Sequence, residues 1–120
     1  MTHQELKTRV LIRLGVLAAG EAPAPEDGQT VLDRYRVLNA LLVQNDLINW
    51  TFSEDVPDEY EMVIIDMVAA EAVGHFANPD PASVIAMGKF GLTPPSPAER
   101  ILRSLTARTY VNRPVESEYF

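Results

Sequence analysis

The chain has 120 residues, of which 47% are hydrophobic and 22% charged, a composition typical of one soluble globular domain. It contains no cysteine, which excludes disulfide bonds and thiolate metal sites. No apolar stretch approaches the roughly 20 residues that a membrane span needs, so we expect no membrane partner. The formal net charge of −7 does not suit a protein that coats a nucleic-acid backbone.

The acidic charge is concentrated in the middle of the chain. Residues 1–53 carry five basic and six acidic side chains, residues 54–80 carry eight acidic and no basic ones, and residues 81–120 carry five basic and three acidic ones. This asymmetry suits subunits that pair unlike faces with neighbouring copies. A solvated acidic helix face gives the same pattern, and the sequence leaves both interpretations open.

Helical periodicity and turn signals predict five α-helices. The first begins at a capping box formed by Thr2 and Glu5 and ends at Gly15, which suits a left-handed helix cap. The second runs from about Pro25 to Gln44, with Leu38 on its apolar stripe.

A short apolar connection precedes the third helix. Alternation from Ile48 to Phe52 predicts a small strand or hairpin arm, in which Trp50 is more typical of a core anchor than of a ligand platform. Pro57 opens a helix from about Asp58 to Phe76, because proline is favoured at a helix start. That helix is apolar over much of its circumference and is therefore predicted to be central.

The fourth helix is short, from Ala82 to Lys89, and a second capping box at Ser96 and Glu99 starts the fifth. The fifth helix is predicted to run from about Pro97 to Arg108, with Ile101, Leu102 and Leu105 turned inward. Residues 1–108 are thus expected to form one all-α domain, an up-and-down bundle of four to five helices. Residues 109–120 are expected to form an extended C-terminal tail that begins near Tyr110.

Catalytic and metal-binding patterns are weak. Asp58 and Glu61 have the helical spacing of a glycosidase-type acid–base pair, but any acidic helix offers such pairs. Glu71 and His75 lie on one helix face, yet a zinc site needs three or four protein ligands. We therefore predict no enzyme, no metal and no cofactor.

Charged and aromatic side chains supply the candidate interaction residues. Four acidic positions of the third helix are predicted to serve a subunit interface or a channel wall, together with three arginines of the fifth helix: Asp58, Glu59, Glu61, Asp66, Arg100, Arg103 and Arg108. Without a basic background, these arginines are a weak signal for nucleic acid. The tail contributes residue types that anchor protein interfaces, namely Tyr110, Arg113, Tyr119 and Phe120. A frayed terminus is the plain alternative for this segment.

Three stretches between Leu6 and Phe76 resemble the head-to-tail adaptor (connector) proteins of tailed bacteriophages. They read RLGVLAAGE followed by a proline and acidic helix start, VLDRYRVLNALLVQNDLINW, and VPDEYE. Adaptors of this kind include the tail accessory factors that lie under the portal ring. The step Leu38-Asn39 and Trp50 match the family's second helix, whereas Ala24 stands where the family usually has a capping serine.

The resemblance implies a structural virion protein at the head–tail junction, present in the host cytoplasm during assembly. Such adaptors assemble as a ring, typically of twelve copies, beneath the portal protein, where they extend or close the DNA channel and receive tail or stopper proteins. Packaged DNA would pass through without sequence-specific binding. The segment from Tyr110 to Phe120 would dock against the portal, and its loss by deletion of Val111 to Phe120 would abolish portal binding. Residues 54–80 would face either the channel or a neighbour's Arg100–Arg108 face.

Three other functional classes remain open at the level of sequence. A small helical DNA-packaging protein, like a terminase small subunit, would bind duplex DNA in a salt-dependent manner. A cell-wall hydrolase would depend on acidic residues such as Asp58 and Glu61. A helical interaction module unrelated to phages would show neither property and would not bind portal rings.

Overall fold

The computed structural model describes the backbone of residues 1–111 and the side chains through Arg108. Within this range the chain forms five α-helices and two short 3₁₀ helices, without a β-strand. The predicted all-α bundle of four to five helices is confirmed. The α-helices are α1 (His3–Arg13), α2 (Pro25–Gln44), α3 (Glu61–Ala72), α4 (Pro81–Gly88) and α5 (Pro97–Val111), and the 3₁₀ helices are Asp58–Tyr60 and Val73–His75.

Helix α3 is the centre of the bundle, as its apolar circumference predicted. It contacts α1, α2, α4 and α5. Five of its residues are completely buried, namely Ile64, Met67, Val68, Ala69 and Ala72. Because most of its circumference meets neighbouring helices, α3 carries few polar side chains.

Helix α1 begins and ends at the signals read from the sequence. The Thr2 hydroxyl accepts the backbone N–H of Glu5 at 3.2 Å, and the Glu5 carboxylate accepts the backbone N–H of Thr2 at 3.0 Å. At the other end Gly15 has a φ of 78°, and the N–H of Val16 bonds back to the carbonyl of Leu11. The capping box and the left-handed glycine cap are both confirmed.

Helix α2 packs against α1 through a stripe at helical spacing, and Gly28 brings the two helices close. The stripe residues Val31, Tyr35, Leu38 and Leu42 are all buried. A Cβ at Gly28 would lie 2.8 Å from Cδ of Lys7, whose aliphatic stem covers this position. Gly28 therefore gives the Lys7 side chain room to lie against the start of α2.

The connection from α2 to α3 is irregular, and the predicted strand from Ile48 to Phe52 is wrong. Burial does alternate in this segment, since Ile48 and Trp50 are buried while Asn49 and Thr51 are exposed, but the described chain contains no strand with which the segment could pair. The main chain instead bonds to the start of the molecule, where the N–H of Val56 donates to the carbonyl of Met1 at 2.9 Å. The connection is thus held by burial of its side chains rather than by strand pairing.

Helix α4 approaches the backbone of α3 very closely at Gly88, which is buried. A Cβ at this position would lie 2.1 Å from the carbonyl oxygen of Asp66 and 3.2 Å from the backbone nitrogen of Met67. Val84, one turn earlier, is also buried. Only glycine permits this distance between the two main chains.

Helix α5 differs from its prediction at two points. It continues through Val111, so the prediction of extended backbone at Tyr110 and Val111 is wrong. No proline or glycine interrupts the helix there, and the Thr106 hydroxyl donates to the carbonyl of Leu47 at 2.6 Å, which ties the late turns to the core. Ile101 is 52% exposed rather than turned inward, because the neighbouring Leu102 takes the core-facing position. Residues 112–120 of the predicted tail lie outside the described residues.

Candidate interaction surfaces

A buried polar cluster joins α2 to the following connection. The Trp50 indole N–H donates to the Tyr35 hydroxyl at 3.0 Å, and the Asn39 side-chain amide lies 3.4 Å from that hydroxyl and 3.5 Å from the Trp50 carbonyl. Burial raises the pKa of the Tyr35 phenol above its ordinary value of 10.0, partly offset by its hydrogen bonds from Trp50 and Asn39. These side chains satisfy one another inside the core, so this cluster holds the fold and offers no ligand site.

Sequence reasoning missed the roles of Asn39 and Tyr35 in this cluster. The available signal was an asparagine beside the apolar stripe of α2, because a buried polar side chain requires a partner. The structure places Trp50 in the core, where it also packs against the Tyr60 ring at a centroid distance of 4.9 Å.

A second aromatic group lies at the surface beside this cluster. The ring centroids of His3 and Phe52 are 4.5 Å apart, and the guanidinium of Arg36 lies 4.9 Å from the Phe52 ring centre. Nε2 of His3 lies 2.6 Å from the Phe52 carbonyl. Since a carbonyl only accepts, this nitrogen carries the hydrogen. The contacts secure Phe52 between α1 and α2.

Two of the four predicted acidic interaction residues form ion pairs within the subunit. Glu61 lies against the guanidinium of Arg9, and Nε of Arg13 donates to Asp66 at 3.2 Å. Both pairs link α3 to α1. Asp58, at the start of the preceding 3₁₀ helix, belongs to a different group that faces solvent.

The solvent-facing acidic residues closely precede an exposed apolar side chain in the sequence. Asp55, Asp58 and Glu59 are exposed and form no ion pair with any residue whose side chain the structure describes. Met62 follows one helical turn later and is 78% exposed, the largest exposure among the big hydrophobic side chains of the described residues. We call Asp55, Asp58, Glu59 and Met62 the acidic patch.

The predicted arginines of α5 also divide into two groups. Arg103 bonds to the carboxylate of Glu99, which is 3% exposed and also accepts the N–H of Gly91 at 2.9 Å. The Ser96 hydroxyl accepts the N–H of Glu99 at 3.3 Å. Because the Glu99 carboxylate is engaged with Arg103 and Gly91 instead of the Ser96 amide, the second capping box is only half formed.

The remaining arginines define a basic patch. Arg100, Ser104 and Arg108 are exposed at intervals of four residues, so they share one face of α5. Ile101, 52% exposed, lies beside them. Among the side chains of residues 1–108, which the structure describes, none forms an ion pair with Arg100 or Arg108. We call Arg100, Ile101, Ser104 and Arg108 the basic patch.

The predicted portal-binding residues fall at the edge of the described chain or beyond it. Tyr110 belongs to the last turn of α5 by its backbone. Arg113, Tyr119 and Phe120 lie outside the described residues.

The positions weighed for catalysis and metal binding are dispersed or paired. Glu61 contacts Arg9 and the amino group of Met1, which lies 3.6 Å from its carboxylate. Glu71 is bonded to Lys89 at 2.6 Å, while His75 is exposed. Among residues whose positions are described, no three histidines or carboxylates gather closely enough to hold a metal ion.

In the described part of the chain, no helix combines the length and apolar character needed to cross a lipid bilayer. Comparison with protein-family models, curated proteins and solved structures finds no match to this chain.

Proposed function

We propose that this chain is a structural adaptor that assembles as a ring beneath a bacteriophage portal. Its role would be to extend or close the DNA channel after packaging and to offer a platform for tail or stopper proteins. The observation that carries the proposal is the run of adaptor-like sequence from RLGVLAAGE to VPDEYE, which corresponds to α1 through the start of α3. The compact helical bundle and its two oppositely charged patches suit a subunit that meets several neighbours.

The proposed mechanism is assembly rather than chemistry. Each contact between free copies is weak, while a portal ring presents many equivalent sites side by side. Binding of one copy raises the effective concentration of its patches for the next copy, so ring formation becomes favourable on the portal. Residues Tyr110 to Phe120, of which the first two belong to the last turn of α5, supply the contact with the portal in this scheme.

The experiment that tests the proposal is velocity sedimentation of the purified chain with and without portal rings from the same phage. The expected result is a saturable shift of the portal peak that corresponds to about one adaptor mass per portal subunit, since neighbouring sites fill together. Absence of a shift, with folded chain and intact rings, overturns the adaptor proposal.

A truncated chain gives the matched control for the tail. Deletion of residues 112–120 leaves α5 intact to its last residue, Val111, so helical content is expected to stay close to that of the full chain. The truncated chain is expected to lose portal binding. Full binding by a folded truncated chain would remove the tail from the mechanism without removing the adaptor role.

The same samples separate the competing functions. Duplex affinity that falls steeply with salt would favour a DNA-packaging protein. Turnover of cell-wall peptidoglycan that disappears in Asp58→Asn or Glu61→Gln would favour a hydrolase.

A further inference from the structure

The acidic patch has the composition of one half of a protein interface. It contains a methionine that is 78% exposed, and the exposed carboxylates of Asp58 and Glu59 precede it by about one helical turn. Isolated large apolar side chains are normal on a protein surface. An apolar centre surrounded by charges of one sign is instead typical of a contact with an apolar core and a charged rim.

The basic patch has the same design with the opposite charge. Ile101 is 52% exposed, Arg100 is its neighbour, and Arg108 lies seven residues, or about two helical turns, further along α5. Arg103 does not compete for a partner, because the buried carboxylate of Glu99 already holds it. The two charges beside Ile101 are thus directed to solvent.

We propose that the acidic patch of one copy binds the basic patch of a second copy. Met62 would pack against Ile101, with Asp58 and Glu59 opposite Arg100 and Arg108. The occupant is a second copy because one chain carries both the apolar centre with acidic charges and its basic complement. Opposite charges at the rim attract the acidic patch to the basic patch. Like charges repel, so acidic–acidic and basic–basic contacts are disfavoured.

This contact is heterologous, since two different surfaces meet. A row of bound copies keeps one acidic patch open at one end and one basic patch open at the other, and repetition produces a closed ring when the rotation per copy permits closure. The ring beneath a portal comes from the proposed function, on which this inference rests. The inference adds the two surfaces through which neighbouring copies meet.

The absence of cysteine in the sequence permits a direct cross-linking test. Two full-length variants, Asp58→Cys and Arg108→Cys, are mixed, oxidised and compared on non-reducing gels, both free and on portal rings. Ala40→Cys, at an exposed position of α2, replaces each partner in turn as the matched control. We expect a mixed Asp58→Cys and Arg108→Cys dimer in clear excess over every control pair and over either self-pair.

Other cross-linking results overturn the assignment. Self-pairs as abundant as the mixed pair indicate a symmetric or random contact. A dominant Ala40→Cys self-pair moves the interface to the outer face of α2. No mixed dimer at any concentration, either free or on portal rings, shows that the two patches do not meet.

Charge reversal gives an independent measurement that needs no cysteine. Arg100→Glu with Arg108→Glu, or Asp58→Lys with Glu59→Lys, is expected to weaken self-association by about tenfold, because two exposed charge pairs become repulsive in each case. A mixture of the two reversed chains pairs acidic with basic charges at every contact when the chains alternate, and so does a chain with all four reversals, so both are expected to recover self-association. Failure of the fourfold variant to recover, while it remains helical, overturns the pairing.

The two proposals fail in distinguishable ways. Saturable portal binding without the mixed cross-link keeps the adaptor role and refutes the patch assignment. The mixed cross-link without portal binding supports the patch assignment and refutes the adaptor role.

Discussion

Substitution of Gly88 by alanine is the sharpest test of the packing that positions α4. The added Cβ would lie 2.1 Å from the Asp66 carbonyl oxygen, more than 1 Å closer than the 3.4 Å at which ordinary contact begins. The obstacle is main chain, which cannot rotate away as a side chain can. Relief therefore requires α4 to move away from α3, which disturbs the buried Val84 and the adjacent pair between Lys89 and Glu71.

The expected decrease in the free energy of unfolding of Gly88→Ala is the difference between two opposing effects. Overpacking of this kind costs about 1–3 kcal/mol, and we expect the upper part of that range. Alanine recovers up to about 1 kcal/mol relative to glycine through its higher helix propensity. The free energy of unfolding should therefore fall by about 2 kcal/mol in Gly88→Ala, which corresponds to a decrease in Tm of about 8 °C for a domain of this size.

Gly74→Ala is the matched control, because it makes the same chemical change where a Cβ meets nothing within 4 Å. Both substitutions restrict the unfolded chain equally, so the difference between them isolates the clash. Thermal and urea unfolding, followed by circular dichroism, measure both variants. Equal stability of Gly88→Ala and Gly74→Ala would refute the close approach of α4 to α3.

Three further predictions concern polar groups. Tyr35→Phe removes the acceptor of the buried Trp50 indole N–H and is expected to lower the free energy of unfolding by about 1–3 kcal/mol in urea titrations; no change would mean that the indole finds another acceptor. Hydrogen bonds from Thr2, first from its backbone amide and then from its hydroxyl, hold the pKa of the Glu5 carboxyl below its ordinary value of 4.5. The stabilisation that Glu5 contributes is therefore present above pH 4.5 and is lost as the pH falls through the lower pKa of the folded state. Unfolding measured across this pH range should therefore show a shallower acid loss in Glu5→Gln than in the unmodified chain, and identical slopes would contradict the capping role. Glu99→Ala removes a nearly buried acceptor of the Gly91 N–H and should lower the free energy of unfolding by about 2 kcal/mol, measured as a decrease in Tm. Glu99→Gln keeps an acceptor and should lose less stability. Equal losses in the two variants would assign the effect to the charge of Glu99 alone.

Local signals with a direct physical cause were readable from the sequence. Thr2 and Glu5 cap α1 because each satisfies a backbone amide within the same turn, and Gly15 ends that helix because its position requires a positive φ. The central position of α3 also followed from the sequence, because only a helix surrounded by others can remain so apolar. These features depend on residues close together in the chain.

Features that depend on distant residues were not readable in the same way. Alternation suggested a strand at Ile48 to Phe52, and burial does alternate there, but the described chain contains no strand with which this segment could pair. The close approach at Gly88 depends on the backbone of Asp66, more than 20 residues away. Likewise, the Glu99 carboxylate bonds to the Gly91 amide and to Arg103 instead of completing the second capping box. The four-residue sequence pattern gives no sign of these competing donors.

The acidic middle segment illustrates why charge counted along a chain differs from charge presented to a partner. Glu61, Asp66 and Glu71 are each neutralised by a cation of the same subunit, which removes them from the outward-facing charge of α3. What remains at the start of that helix is a small group of exposed carboxylates shortly before Met62. A channel wall that keeps DNA from adhering needs negative charge spread along its length, whereas a subunit contact needs a compact charged rim around an apolar centre. For the adaptor that we propose, this distribution of ion pairs suits a neighbouring subunit better than DNA as the partner of this surface.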